Sequence, residues 1–214
     1  MTKIILSAIP ILAAILVGGT ILPSFANNVM ICDNTHHITG GAIINADVVV
    51  PVGHSCTISS STVNGDITNH GIQLVVRSSN INGNISSDSF AGILITGEIT
   101  SGPTIVDGNI SVVGAIDIEI GVFGPTSVSG NVRIQDTNSG NIISTPIGKN
   151  LALDGIHGTL NIVNVNVGKN FSAENSHIIV LSSNTIVKNA KCLNIDALVG
   201  VGNSYGNNNN GCPV

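Results

Sequence analysis

The chain has 214 residues, 43% hydrophobic, 2% aromatic and 9% charged, with a formal net charge of −5. Abundant Ile and Val can bury a core, which excludes high-charge disorder. The negative balance disfavours nucleic acid or an anionic membrane as a bulk electrostatic partner, and the scarcity of aromatic rings removes base-stacking platforms.

In chain order, the first element is residues 1–26, "MTKIILSAIPILAAILVGGTILPSFA". One early Lys, an apolar run from Ile4 to Leu22 and small residues at Ser24 and Ala26 read as a secretory signal peptide cleaved after Ala26. The rival is an uncleaved anchor, because about 18 apolar residues can just span a bilayer. Pro10 and the Gly18-Gly19 pair favour cleavage, which leaves no membrane span. The mature chain, 27–214, is read as one extracellular or cell-surface domain, with 27–60 as N-terminal cap and first coil and 192–214 as C-terminal cap.

Four cysteines fit that compartment: an early pair, Cys32 and Cys56, and a late pair, Cys192 and Cys212. Four Cys allow three connectivities. Nearest-neighbour pairing puts one staple at each end, where fraying is worst, and each closed loop contributes about 3 kcal/mol. Metal binding is the alternative, although no Cys-x-x-Cys or Cys-x-x-His occurs.

Between the caps one short string returns: "TVNGDI" at 62–67, "NINGNI" at 80–85, "IVDGNI" at 105–110 and "SVSGNV" at 127–132. An Asn-Gly pair among β-branched residues signals a hairpin when it stands alone. Aligned on Asp66, Asn84, Asn109 and Asn131, however, the series runs on through Asn150, Asn170 and Asn189, at spacings of 18, 25, 22, 19, 20 and 19. "GGAII" at 40–44 reads as an opening member and "SYGNNNNG" at 204–211 as a closing one. A period near 20 means a solenoid, and two or three strands per lap describe a parallel β-helix of about eight coils. In Val-x-Gly-x-Ile the apolar residues share the inward face and the glycine allows a corner that a β-carbon would obstruct. The asparagine tolerates left-handed corner geometry and stacks on its copy one coil away, so the seven aligned residues are expected to form a side-chain ladder.

The chain resembles small secreted right-handed parallel β-helix repeat proteins. The likeness lies in "VVVPVGHSCTISSSTVNGDI" at 48–67, and in the Cys-x-Asn to Gly-x-Cys ending of "CLNIDALVGVGNSYGNNNNGC" at 192–212. Bactofilins, intracellular polymer-forming β-helices, show similar Val-x-Gly-x-Val runs, but the signal segment and the cysteines argue against membership there. The resemblance implies a right-handed all-β solenoid and an extracellular address, and it brings no catalytic residues.

Lysine replaces glycine in the last three complete steps, at Lys149, Lys169 and Lys188, with Lys191 close by. In register these form a column of like charge, read either as an anion site or as a solvated column balanced by neighbours such as Asp154 and Glu174. "AIDIEI" puts Asp117 and Glu119 on one strand face, a calcium arrangement only if further oxygens converge; a polar outward face is preferred. His157 and His177 stand one coil apart, weak candidates for a transition metal; His36 and His37 lie near Cys32, and His54 and His70 complete the six histidines. Sequons occur at Asn84, Asn109 and Asn170, but ladder side chains are poor glycan acceptors.

No catalytic residue, metal or cofactor is assigned. The expected function is a monomeric, non-enzymatic scaffold that binds envelope glycans or surface proteins and no nucleic acid. A carbohydrate-active β-helix enzyme, lyase or hydrolase, is the alternative, and a self-assembling β-helix polymer is the second.

Overall fold

The computed structural model describes residues 28–214; the expected signal segment, 1–26, and residue 27 lie outside them. The chain winds as an all-β parallel solenoid with three faces, every ladder between its strands running parallel.

The first face stacks Val29–Ile31, Asp47–Val50, Ile67–Asn69, Ile85–Ser87, Ile110–Val113, Val132–Gln135 and Leu151–Asp154. It ends in the leading halves of two long strands, Phe171–Ser182 and Ala190–Val201, and in Asn209–Asn210. The second face runs from Ser55–Ser59 through Gln73–Arg77, Gly92–Thr96, Asp117–Ile120, Ser139–Ile143 and Thr159–Val163 into the trailing halves of those long strands. The third consists of two- and three-residue strands from Ile43–Ile44 to Ser204–Tyr205.

This makes about ten turns rather than the expected eight. The additional coils, Val29–Ile31 at one end and Asn209–Asn210 at the other, pair like the rest; the first precedes every copy of the string and the second falls within its closing member, 204–211.

Alternation along each strand decides what faces inward. Ile67, Ile85, Ile110, Val132, Leu151, Phe171 and Ala190 are direct register partners and form one buried row on the first face. Val63, Ile81, Val106, Val128, Ile147, Val167 and Ile186 form another on the third. β-Branched side chains suit such rows because their χ1 angle is already restricted. Each buried Ile contributes about 1.5–3 kcal/mol, and no lap could bury its row without neighbours.

The uneven spacing is absorbed at one place. The 25- and 22-residue laps carry their extra residues between the second and third faces, at 97–103 and 121–125, where Glu98 and Gly102 close a small antiparallel loop. The other faces keep their register across both insertions.

That corner also holds the left-handed backbone expected of the ladder asparagines. Ser60, Ser78, Ser144, Asn164 and Ser183 have φ of 49°, 46°, 47°, 55° and 55°, whereas none of the seven residues aligned in the repeated string has positive φ. Beside these bends runs a buried polar stack absent from the sequence expectations: Ser61, Ser79, Thr104, Thr126, Thr145, Asn184 and Asn203. The Ser79 hydroxyl accepts from the Ser61 amide at 3.2 Å and donates to the Arg77 carbonyl at 2.7 Å, so the stack satisfies backbone groups that the bend withdraws from the ladders.

Disulfides Cys32–Cys56 and Cys192–Cys212, with Cα–Cα distances of 5.4 and 5.1 Å, close the two ends from inside the core. Among the described residues no helix is long and apolar enough to cross a membrane.

Candidate binding ridge at one corner

The corner between the third and first faces carries the repeated string. Its outer edge is the row Asp47, Asp66, Asn84, Asn109, Asn131, Asn150, Asn170, Asn189 and Asn208. Each rung reaches back to the one before. Asn84 donates its amide N–H and its Nδ2 to Asp66 Oδ1 at 2.7 and 3.0 Å; Asn109 does the same to Asn84 at 2.9 Å for both, and Asn131 to Asn109 at 2.8 Å for both. Nδ2 of Asn150, Asn170 and Asn189 continue the row at 2.8, 3.0 and 3.0 Å.

The direction of donation explains the acids at the start. The first rungs need only accept, so a carboxylate can stand there where the interior requires an amide. Two other outward ladders obey the same rule. Asn194 donates to Asn175 at 3.0 Å and Asn175 to Asp154 at 2.9 Å; Asn161 donates to Asn141 at 2.9 Å and Asn141 to Glu119 at 2.7 Å. Glu119 is therefore the head of a ladder, and Ser139 donates to its neighbour Asp117 at 3.2 Å. Burial pushes the Glu119 carboxyl above its ordinary range, the Asn141 hydrogen bond opposes that shift, and Asp117 adds to it.

Inside the ladder row, the two halves of the ridge differ. From Gly65 to Gly130 the coils touch through glycine: a β-carbon on Gly83, Gly108 or Gly130 would lie 2.3 Å from the carbonyl oxygen of the coil below. The preceding position holds Asn45, Asn64 and Asn82, themselves hydrogen-bonded in a row, then Asp107 and Ser129, 3.3 Å apart. After Ser129 the close approach moves one residue earlier, to Gly148 and Gly168, where a β-carbon would lie 2.4 Å from the carbonyl below. The position this vacates faces solvent and is filled by Lys149 and Lys169; Lys188 continues the row in the next lap, where Val187 replaces the glycine.

The three lysines stack in register: the Lys149 amide donates to the Gly130 carbonyl at 3.1 Å, Lys169 to Lys149 at 2.8 Å and Lys188 to Lys169 at 2.9 Å. All three side chains are exposed, and none pairs with a carboxylate among the described residues. The balancing role considered for Asp154 and Glu174 does not arise. Asp154 accepts from Asn175, and Glu174 pairs with Lys191 at 3.1 Å. Like charges one coil apart repel by about 1 kcal/mol in water, and here no acid relieves them.

Two neighbours were not included in the expected column. Arg133 and Lys191 share one outward row of the first face, each two residues after a ladder asparagine, Asn131 and Asn189. Position two after the ladder rung is the sequence signal for both. Directly upstream of the lysines, Ser127, Pro146, Gly148, Asn166, Gly168 and Val187 line a shallow groove of about 440 Å³.

The other candidate residues disperse. His157 and His177 occupy one corner a coil apart, both exposed, and His177 Nδ1 lies 2.9 Å from Asp196. His70 pairs with Asp88 at 2.7 Å and His36 with Asp33 at 3.1 Å. The Thr35 hydroxyl and amide, with the His36 ring, hold the Asp33 carboxylate well below the usual range. His37 Nδ1 accepts from the Thr57 amide at 3.1 Å, and His54 Nδ1 is buried without a hydrogen-bond partner. Among the described residues no three His, Cys, Asp or Glu side chains form a metal-holding group. The sequon residues Asn84, Asn109 and Asn170 have their Nδ2 committed to the ladder.

No family model, no curated protein and no solved structure matches this chain, so its functional reading rests on the ridge and the faces themselves.

Proposed function

We propose that the chain is a secreted, non-enzymatic binding scaffold whose faces hold an extracellular partner, an envelope glycan or a surface protein. The observation that carries this reading is the unbroken alignment of outward side chains into rows along the axis, braced rung by rung. Such rows present equivalent groups at the strand spacing of about 4.8 Å, which suits a ligand that is itself a linear repeat. The two disulfides fit an oxidising compartment.

The test is an array of neutral and acidic envelope polysaccharides and purified surface proteins, probed with the full chain, with each bound glycan then assayed for cleavage. Retention without new reducing ends or unsaturated sugars is the expected result. Turnover of a retained glycan would replace the scaffold by the carbohydrate-active enzyme.

A further inference from the structure

Five of the seven Lys and Arg residues fall within 133–191, on two rows that flank the asparagine ladder of a single ridge. Residues 28–132 carry eight acidic and one basic side chain, whereas residues 133–214 carry four acidic and five basic ones. The acidic excess is thus confined to one end, and the other end presents cations on a chain that is negative overall.

Lys149, Lys169, Lys188 and Arg133 are exposed and lack a carboxylate partner among the described residues. The coil-to-coil register fixes the lysine backbones in a straight row at the strand spacing. A sugar ring in an extended polysaccharide advances by about that same step, so consecutive anionic sugars can meet consecutive lysines. The groove along the row adds what a sugar requires besides charge. Pro146 and Val187 offer apolar surface to C–H faces, and Ser127 and Asn166 offer hydroxyl and amide groups.

Deepening the scaffold reading, and resting on it, we infer that the Lys149–Lys169–Lys188 row and its groove bind a linear anionic polysaccharide, a chain of uronate or sulfated sugars lying parallel to the solenoid axis. Nucleic acid shares the charge, but no exposed aromatic ring stands among the groove-lining residues to stack a base.

The experiment measures binding of the full chain to polygalacturonate, dextran sulfate, neutral dextran and a single-stranded oligonucleotide at several salt concentrations. The expected result is binding to at least one acidic glycan that weakens steeply with salt, as screening of exposed charges requires. The triple variant Lys149→Gln, Lys169→Gln, Lys188→Gln should lose at least tenfold in affinity, and the triple Lys→Arg variant should keep it. Lys169→Gln, which removes the middle charge, should weaken binding more than Arg77→Gln, whose side chain pairs with Glu98 near the inserted loop. Acidic-glycan binding untouched by the triple Gln variant would overturn the lysine site and leave the scaffold reading standing. So would retention of neutral dextran alone. Equal or tighter binding of the oligonucleotide through the same lysines would overturn the polysaccharide assignment. Failure of every glycan on this panel and of every array partner would remove both readings together.

Discussion

The ridge is built twice from almost the same string, and the two versions have opposite character. In the half from Gly65 to Gly130, "Asn-Gly-Asn" and its variants press glycine against the coil below and cover the corner with amides and acids. In the half from Gly148 to Lys188, "Gly-Lys-Asn" in two laps shifts the point of closest approach by one residue, "Val-Lys-Asn" follows in the third, and the corner position becomes a cation row. From Asn84 to Asn189 the ladder asparagine is unchanged across both. A solenoid can therefore hold its bracing constant while one neighbouring position passes from packing to recognition.

The sharpest way to break this comparison is to substitute the same corner position in each half. Gly108→Ala places a β-carbon 2.3 Å from the Gly83 carbonyl oxygen and should cost about 3 kcal/mol, the upper end of ordinary overpacking. Lys149→Ala, at the equivalent corner position, already has its β-carbon accommodated and should stay within about 0.5 kcal/mol. Urea midpoints of the two variants test the pair, and equal costs would mean that the halves pack alike.

Ladder polarity supplies a smaller effect. Asn109→Asp removes the side-chain donor to Asn84 while keeping the backbone donor and the acceptor for Asn131, and should cost about 1–2 kcal/mol at neutral pH. Asp66→Asn, at the accepting end, should be neutral or stabilising. A loss of similar size in both variants would show that donation has no preferred direction. Glycosylation of Asn84, Asn109 or Asn170 would cap a donor in the same way, so mass spectrometry from a glycosylating host should find those sites empty.

The smallest effect concerns Glu119. Its carboxyl binds a proton more readily folded than unfolded, chiefly because burial disfavours the charge. That preference supports the fold at low pH and is lost as pH rises from the ordinary glutamate range through the raised folded value. Glu119→Gln keeps the acceptor for Asn141 and should flatten this decline, so its stability advantage over the parent should grow with pH across that window. An unchanged pH profile would contradict the assignment of Glu119 as a ladder head whose charge is disfavoured by burial.

The solenoid was legible because an inward residue such as Ile85 must recur at every lap, and a chain cannot hide that period. The ladder residues were legible for the same reason. The buried stack from Ser61 to Asn203 was not, although a small polar residue stands two places before the inward aliphatic in most laps: Ser61 before Val63, Ser79 before Ile81, Thr145 before Ile147. Hydropathy marks such residues as surface, and only the bend, which strips hydrogen bonds from the backbone, makes burial favourable. The partners of the lysines were unreadable for a different reason. Asp154 and Glu174 each follow a lysine by five residues, but that offset carries them to the fourth residue of the next strand, across the first face from the lysines, where Asn175 and Lys191 reach them first.

The one-way donation along the ladder has a consequence at long range. Each asparagine amide is a small dipole, and in this row they all point the same way, with the N–H ends toward the first coils and the carbonyl ends toward the last. Their fields add as peptide dipoles add along a helix. Asp47 and Asp66 stand at the positive pole, and Lys149, Lys169 and Lys188 flank the row toward its negative pole. The distribution of charge along the ridge follows the polarity of its own scaffold.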